Sequence, residues 1–168
     1  GKRYEAAGYD VSIISGDRDL LQLATDKVKI RIPKTKMAGT EIEDYLAADV
    51  KERYQVTPKE FIDVKALMGD TADNIPGVPG IGEKTATNLI VAYGSIENAY
   101  AHVEEIKPNR AKEALRNHYD MAKMSKKLAT ICVQAPLELS WENAKLTNLY
   151  TPEVYEWFKK LNFKKLLS

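Results

Sequence analysis

The chain has 168 residues, 44% of them apolar and 29% charged, with a formal net charge of +1. These proportions exclude a disordered chain and fit one ordinary domain or two small lobes that share a core. The one cysteine, Cys132, excludes an internal disulfide and a multi-cysteine zinc site, and its apolar neighbours predict that it is buried. No apolar run approaches the roughly 20 residues that span a bilayer, so we expect a cytoplasmic protein with no membrane contact.

The net charge lacks the strong basic excess that many nucleic-acid-binding domains have. Acidic residues cluster at 41–52, whereas basic residues recur at 107–127 and 159–165. A protein with an acidic pocket and a separate basic face also sums to a small net charge. Overall charge therefore argues only weakly against DNA as a partner.

The first part of the chain predicts a βαβ unit. Residues 2–7 resemble the end of a helix, and the dense apolar residues of 9–15 predict a buried strand. A short helix over 18–25 and an alternating strand over 27–32 follow. Because such a crossover is right-handed and joins parallel strands, we predict a sheet that is at least partly parallel.

Beyond residue 39 the sequence predicts helices and loops, with Glu41, Glu43 and Asp44 on a solvated face. Thr57 is the predicted N-cap of one helix. The predicted class is thus α/β, followed by a mostly helical region. The predicted helices cover 48–54, 58–68, 83–93, 95–103, 110–125 and 154–161, and a loop rich in glycine, proline and aspartate covers 69–82.

Two pairs of aspartates predict a metal site. Asp17 and Asp19 follow the predicted buried strand at its carboxyl end, the edge where open α/β sheets bind ligands. Asp70 and Asp73 lie in the loop that begins at residue 69, at a spacing that lets both face one way. Carboxylates without histidine or cysteine partners favour Mg²⁺ or Mn²⁺. Each pair by itself is also typical of local capping and turns.

Residues 75–86, Ile-Pro-Gly-Val-Pro-Gly-Ile-Gly-Glu-Lys-Thr-Ala, predict a helix-hairpin-helix turn that binds the DNA backbone. The glycines allow positive φ and close approach of another molecule. They lead into a helix whose free N–H groups and positive dipole end accept phosphate without reading bases. A purely structural turn or a nucleotide-binding loop is the alternative, although neither the dinucleotide nor the P-loop spacing is present. The predicted DNA-binding residues are Gly77, Val78, Gly80, Gly82, Lys84 and Thr85.

Several stretches together resemble the 5′→3′ exonuclease domain of bacterial DNA polymerase I, within the flap endonuclease group. The likeness is carried by 9–23, which contains Ile-Ser-Gly-Asp-Arg-Asp-Leu, and by 66–86. It continues through 125–131 and 135–139, and 155–167 resembles the run that leads toward the polymerase part. The resemblance covers most of the chain and implies a C-terminal portion of that domain, without its N-terminal half.

The resemblance implies a metal-dependent nuclease. Carboxylates of the family surround two metal ions about 4 Å apart, which support in-line hydrolysis of a phosphodiester. The aspartates that match the ligands of one ion, Mg²⁺ or Mn²⁺, are Asp17, Asp19, Asp70 and Asp73. The hairpin at 77–85 matches the family's helix-three-turn-helix, where a potassium ion, K⁺, commonly bridges hairpin carbonyls and a phosphate. The implied partners are duplex DNA with a 5′ flap or nick, in replication and repair, and a covalently linked polymerase part.

The resemblance also divides the chain and indicates what precedes it in the family. Residues 1–68 match the C-terminal part of a PIN-like α/β nuclease core, 69–125 the DNA-binding region, and 126–168 a return to the core. The family's further carboxylates and its basic helical arch match none of these residues, so we expect little or no cleavage by this chain alone. Two other functions stay open at this point: a non-catalytic, sequence-independent DNA-binding module and a nucleotide-binding α/β protein.

Overall fold

The structure, a computed structural model, describes residues 1–36, 39–138 and 140–167 and forms two compact units, Gly1–Val133 and Gln134–Ser168. No helix in these described ranges is long and apolar enough to cross a membrane. The first unit contains α1 (Lys2–Ala6), β1 (Val11–Ile14), a 3₁₀ helix (Arg18–Leu23), β2 (Val28–Lys36), β3 (Gly39–Tyr45), α2 (Ala47–Tyr54), α3 (Pro58–Met68), α4 (Glu83–Tyr93), α5 (Ile96–Ala101), a 3₁₀ helix (Val103–Glu105), α6 (Asn109–Asn117) and α7 (Tyr119–Ala129). The second contains α8 (Trp141–Ala144), α9 (Pro152–Lys160) and a 3₁₀ helix (Lys164–Leu166).

The sheet has the order β1-β2-β3 and is partly parallel, as predicted. Strand β1 runs parallel to β2, with Val11 opposite Val28, and the 3₁₀ helix forms the crossover between them. The apolar alternation of β2 has its expected effect, because Val28, Ile30 and Ile32 are all buried on one face. The predicted α/β class, followed by a mostly helical region, is confirmed.

The prediction that no strand follows residue 39 is wrong, because β3 pairs antiparallel with β2. The acids expected on a solvated face stand on β3, where Glu43 pairs with Lys34 and Asp44 with Arg31. Most of β3 is exposed, so it has no apolar alternation from which a strand could be recognised. Cross-strand pairs of opposite charge support its register instead.

Two predictions of burial are also wrong. Strand β1 is only half-buried, because Ile14 is 64% exposed while Val11 and Ile13 pack against the core. Cys132 is exposed and free, although its neighbours in sequence are apolar. In both segments, the density of apolar residues therefore predicts more burial than the structure has.

Helix α3 lies at the centre of the first unit, packed against α4, α7 and the 3₁₀ helix that follows β1. The capping box fixes its start: Thr57 Oγ accepts the N–H of Glu60, and the Glu60 carboxylate accepts the N–H of Thr57 at 2.8 Å. Its apolar side chains, including Phe61 and Leu67, belong to the single core cluster. Helix α3 therefore connects the segment that follows β1 with the helices α4 and α7.

The helix predicted over 110–125 is instead two helices, α6 and α7, which meet at His118. His118 has φ −128° and ψ 27°, so its backbone leaves the helical region. The sequence around it contains neither proline nor glycine, which explains why the break was not predicted.

In the second unit, Thr151 caps α9 by accepting the N–H of Val154 at 3.3 Å, and Pro152 takes the first helical position. No described residue of α9 is buried within the unit. The ring of Phe158, in the last turn of α9, lies 6.1 Å from the ring of Phe163, which follows the helix.

Candidate metal and DNA-binding site

Three aspartates from two distant segments meet in the first unit. Asp19 stands in the first turn of the 3₁₀ helix that follows β1, and Asp70 and Asp73 lie in the loop after α3. Each offers one carboxylate oxygen, and these oxygens all lie within 4.8 Å of one another. We call Asp19, Asp70 and Asp73 the acidic cluster.

The loop that carries two of these acids is closed by its own backbone. Asp70 N–H donates to the carbonyl of Ile75 at 2.9 Å, and Ile75 N–H donates back to the carbonyl of Asp70 at 2.8 Å. The Asp70 carboxylate also accepts the N–H of Ala72 at 2.9 Å. A short, hydrogen-bonded loop therefore presents Asp70 and Asp73 together beside the end of α3.

Asp17, the fourth aspartate predicted from the sequence, lies outside the acidic cluster. Its Oδ1 accepts the N–H of Asp19 at 2.8 Å, so it serves as the N-cap of the 3₁₀ helix. This is the capping role that a short Asp-containing turn offers. A metal-ligand role for Asp17 remains a prediction, and its negative charge still acts on Asp19.

Lys65 is a site residue that the sequence reasoning missed. Its Nζ lies 2.7 Å from Asp19 Oδ1 and also pairs with Asp70 Oδ2, and only 8% of its side chain is exposed. The sequence does contain evidence for such a residue, because Asp63 and Lys65 interrupt the apolar run of residues 61–68 on a core helix. Charged residues are rarely buried unless they are paired, so either of them called for a buried partner.

Burial and charge act in opposite directions on this group. Burial raises the pKa of Asp19, the negative charges of Asp17 and Asp73 add to that rise, and the Lys65 ammonium opposes it. The same ammonium lowers the pKa of Asp70. Burial lowers the pKa of Lys65, but its contacts with Asp19 and Asp70 outweigh burial, so the net direction is upward.

The acidic cluster has carboxylate oxygens and negative charge that are available to a cation. Asp19 Oδ1 is buried, and although it lies 2.7 Å from Lys65 Nζ, that contact does not have hydrogen-bond geometry. The cluster holds three carboxylates and Lys65 pairs with two of them, so negative charge remains in excess. The donors are all carboxylate oxygens, which suit hard divalent cations with water completing the shell. The residues present therefore fit a Mg²⁺-like ion.

The predicted hairpin is built on two glycines packed back to back. Gly77 has φ +65° and Gly69 has φ +75°. A Cβ on Gly77 would lie 2.4 Å from the Gly69 nitrogen, so no other residue fits there without movement of the backbone. The close approach predicted for an external molecule is thus made, at Gly77, by the chain itself.

The N–H groups of the first hairpin residues are already used. Gly77 N–H donates to the hydroxyl of buried Ser125 at 3.1 Å, and Val78 N–H donates to the Leu67 carbonyl at 2.8 Å. Val78 and Ile81 are buried in the core cluster. Gly77 and Val78 therefore hold the hairpin in place, and their predicted DNA contacts cannot use these amides.

The second half of the hairpin faces outward. Gly80, with φ +89°, and Gly82 are exposed, and Gly82 is the N-cap of α4 without a side chain to satisfy the first turn. Lys84 is exposed and Thr85 is half-buried in that turn. Unpaired amides and the positive end of the α4 dipole thus meet a lysine at the surface, an arrangement that suits an anion.

Arg110 of α6 adds a second cation beside the hairpin. Its Nε lies 3.7 Å from the position that a Cβ on Gly80 would take. In the sequence, Arg110 is one of several basic residues in the stretch 107–127. Its position next to Gly80 follows from tertiary packing of α6, which local sequence does not report.

A cleft of about 570 Å³ extends from Asp70 of the acidic cluster to the start of α4. Lys65 and Asp70 line one part of it, and Glu83 and Lys84 line another. Arg18 and Arg53 also border it, and Arg18 donates to the Tyr54 hydroxyl at 3.3 Å. The cleft thus extends from a carboxylate of the acidic cluster to the N-terminal end of α4, with basic side chains between them.

Comparison with known proteins places the chain in a family. The family profile described as 5′-3′ exonuclease, C-terminal SAM fold, matches residues 56–151. The chain is 48% identical over 166 residues to DNA polymerase I of Bacillus caldotenax and 44% identical over 167 residues to DNA polymerase I of Bacillus subtilis. The matches cover 99% of this chain, which spans only 19% of the length of each of these relatives.

Solved structures agree with this placement. A structure of bacteriophage T5 5′-exonuclease with bound divalent metal ions (zinc) matches with a TM-score of 0.63 and 28% identity, over 76% of this chain and 45% of that one. A complex of the bacteriophage T5 flap endonuclease with DNA and metal ions matches with a TM-score of 0.62 and 27% identity, over the same shares. The resemblance drawn from the sequence motifs is confirmed, and the chain belongs to the 5′-3′ exonuclease, C-terminal SAM fold, family.

Proposed function

We propose that the chain is the DNA-binding and partial metal-site portion of a structure-specific 5′→3′ exonuclease or flap endonuclease that hydrolyses DNA phosphodiesters in replication and repair. One observation carries the proposal: Asp70 of the acidic cluster, its partner Lys65 and the start of α4 border the same cleft. A metal at one end and a phosphate-binding turn at the other suit a DNA strand that passes between them. A nucleotide-binding protein with an unrelated glycine-rich turn does not need both a metal site and a DNA-binding turn along one cleft.

The proposed metal is Mg²⁺ or Mn²⁺, held by Asp19, Asp70 and Asp73, with Asp17 close enough to contribute charge. The structure of T5 5′-exonuclease with bound divalent metal ions supports the choice of a divalent ion. When bound, such an ion supplies an activated water and stabilises the leaving oxygen of a phosphodiester. The aspartates act as ligands rather than as general bases, and Lys65 holds two of them in position.

The proposed partner is duplex DNA with a 5′ flap or nick. Gly80, Gly82, Lys84 and Thr85 offer free amides, a helix dipole and a cation to one phosphate, and hairpin carbonyls are the proposed ligands of a K⁺ ion there. The T5 flap endonuclease complex with DNA supports this role. Backbone contacts of this kind recognise the shape of DNA rather than its sequence.

We propose a separate role for each of the three regions inferred from the sequence. Residues 1–68 contribute part of the α/β nuclease core, 69–125 the DNA-binding region, and 126–168 a segment that leads toward a covalently linked polymerase part. The DNA polymerase I relatives support that linkage, and action on DNA fits a cytoplasmic protein. Because the described residues form one group of three carboxylates, whereas the two-metal mechanism needs ligands for two ions, we expect little cleavage by this chain alone.

A Mn²⁺ titration by calorimetry tests the metal site. We expect the chain to bind Mn²⁺, Asp73→Asn to reduce affinity at least about tenfold through loss of a ligand charge, and Asp17→Asn to retain most of it. Asp17 is the matched control because it is an aspartate of the same neighbourhood that caps a helix. Equal losses in both variants would place all four aspartates on one ion, and absence of binding by the unsubstituted chain would reject the site.

Fluorescence anisotropy with a labelled 5′-flap duplex tests the DNA site. We expect Lys84→Ala to weaken binding roughly three- to tenfold and to lower the salt dependence by about one ion. Lys59→Ala is the control, since Lys59 is an exposed lysine in the first turn of α3. If DNA binds with unchanged affinity while Mn²⁺ does not bind at all, the non-catalytic DNA-binding module becomes the better account.

A further inference from the structure

Lys65 occupies a position that a bound metal ion would also claim. It reaches from the last turn of α3 to carboxylates in two other segments, at 2.7 Å from Asp19 Oδ1 and in contact with Asp70 Oδ2. Its side chain is 8% exposed, and those of Asp19 and Asp70 are 15% and 21% exposed. Removing an ammonium from water to this degree is costly, so its place in the fold depends on these two partners.

The lysine and a divalent ion draw on the same oxygens. A Mg²⁺ ion bound to Asp19 Oδ1 at about 2.1 Å would lie no farther than about 5 Å from Lys65 Nζ, given the 2.7 Å contact. Like charges at that separation in a partly buried site repel strongly. Asp73 makes no such contact with Lys65 among the described ion pairs, so one carboxylate of the group remains for a cation even with the lysine in place.

We propose that Lys65 is a built-in counter-cation that holds Asp19 and Asp70 together when no metal is bound and competes with the divalent ion for their oxygens. This inference rests on the metal site proposed above. It assigns Lys65 a positioning role with two consequences. The fold does not require the ion, and the affinity for the ion is set lower than three carboxylates alone would give, which keeps the ion exchangeable.

The test compares Lys65→Met with the unsubstituted chain by Mn²⁺ calorimetry and by thermal unfolding with and without Mn²⁺. Methionine keeps much of the side-chain length and apolar packing but removes the charge. We expect Lys65→Met to bind Mn²⁺ about tenfold more tightly, because the competing charge is gone. We also expect a lower midpoint of unfolding without metal and a larger rise on adding Mn²⁺, since ligand binding to the folded state stabilises it.

Two further variants guard this comparison. Lys59→Met removes the same charge from the exposed first turn of the same helix and should leave both readouts unchanged. Lys65→Arg keeps the charge and should leave the Mn²⁺ affinity within about threefold of the original. A change of Mn²⁺ affinity in Lys59→Met as large as that in Lys65→Met would overturn the inference, because it would reflect overall charge.

The remaining outcomes are decisive as well. Equal or weaker Mn²⁺ binding by Lys65→Met, while the unsubstituted chain binds, overturns the competition but leaves the metal site standing. No binding by either rejects the metal site and the inference with it. If Lys65→Met is unfolded without metal, recovery of its circular dichroism spectrum in Mn²⁺ supports the proposal, and failure to recover in saturating Mn²⁺ overturns it.

Discussion

Helix α3 carries two buried charges, Asp63 and Lys65, and each takes part in a lysine-centred group of ion pairs. Lys65 lies within the acidic cluster. Asp63 pairs with Lys126 of α7 at 2.7 Å, and Lys126 also donates to both carboxylate oxygens of Glu97 on α5. We call Asp63, Glu97 and Lys126 the Lys126 cluster. Asp63 and Lys65 are two residues apart on α3, yet the groups to which they belong differ in their hydrogen bonding.

The difference lies in how completely the buried carboxylate oxygens are hydrogen-bonded. In the Lys126 cluster, Asp63 Oδ1 also accepts the N–H of Ile96 at 3.1 Å, at the start of α5. In the acidic cluster, Asp19 Oδ1 has no hydrogen bond, and it is the one buried side-chain polar atom in the described part of the chain in this condition. Buried charges whose oxygens are hydrogen-bonded join helices, whereas a buried carboxylate oxygen without a hydrogen bond marks a place for a ligand.

The largest effect expected from this comparison is that of Asp63→Asn. The change leaves Lys126 with Glu97 alone and weakens the cap on α5, while Asp63 is 4% exposed. We expect a loss of about 2–3 kcal/mol in the free energy of unfolding, somewhat below the roughly 3–5 kcal/mol of a fully buried broken pair, because Lys126 is partly exposed. Urea denaturation followed by circular dichroism measures it.

A loss smaller than about 1 kcal/mol in that experiment would place the pair in the range of surface salt bridges. It would then remove the contrast between the two clusters, because the Lys126 cluster would no longer count as a structural joint. Asp26→Asn is a suitable control, since Asp26 is exposed and lies in the turn before β2. We expect the control to change stability by no more than about 0.5 kcal/mol.

Much of α3 and α4 could be predicted from sequence because their ends are set by local chemistry. The capping pair Thr57 and Glu60 marks the start of α3, and Gly94, with φ +76°, ends α4. The glycine-rich hairpin between them was predicted for the same reason. These signals depend on residues within a few positions of one another, which a sequence displays directly.

The remaining features depend on contacts between distant segments. Strand β3 is stabilised by charge pairs with β2 rather than by an apolar face, so its sequence has no apolar alternation that predicts a strand. The role of Lys65 arises because α3 packs against the segment that carries Asp19, 46 residues earlier in the chain. Asp17 caps the 3₁₀ helix and does not join the acidic cluster because of the direction of its side chain.

A smaller effect is expected for Asp19→Asn in metal-free buffer containing a chelator. Burial and neighbouring carboxylates already disfavour its charge, while Lys65 loses one of two partners, so the opposing effects should leave stability within about 1 kcal/mol of the original. The contrast appears on adding Mn²⁺. The unsubstituted chain should gain stability and Asp19→Asn should gain much less, because the variant has lost one carboxylate of the acidic cluster. Thermal unfolding with and without Mn²⁺ measures both.

A destabilisation by Asp19→Asn as large as that by Asp63→Asn, without metal, would contradict the distinction between the two clusters. The acidic cluster would then be a structural ion-pair group like the other. An undiminished response of Asp19→Asn to Mn²⁺ would instead show that the ion binds elsewhere.

The smallest expected effect is a change in acid sensitivity caused by Glu97→Gln. Burial raises the pKa of Glu97, but its bonds to Lys126 outweigh burial and the net direction is downward. A carboxylate whose pKa is lower in the folded state stabilises the fold above its unfolded pKa of about 4.3, and this contribution is lost as pH falls through the folded value. The unsubstituted chain should therefore exceed Glu97→Gln in stability near neutral pH by about 0.2–1 kcal/mol, as for a half-exposed pair.

Urea denaturation at several pH values between about 3 and 7 measures the stability difference between Glu97→Gln and the unsubstituted chain. Other carboxylates titrate in the same range in both proteins, so their contributions cancel in that difference. The difference should be constant above about pH 5 and should shrink steadily below it. A difference that is independent of pH would show that Glu97 acts through packing rather than charge. The Lys126 cluster would then rest on Asp63 alone, whose single oxygen already joins α3 to α5 and α7.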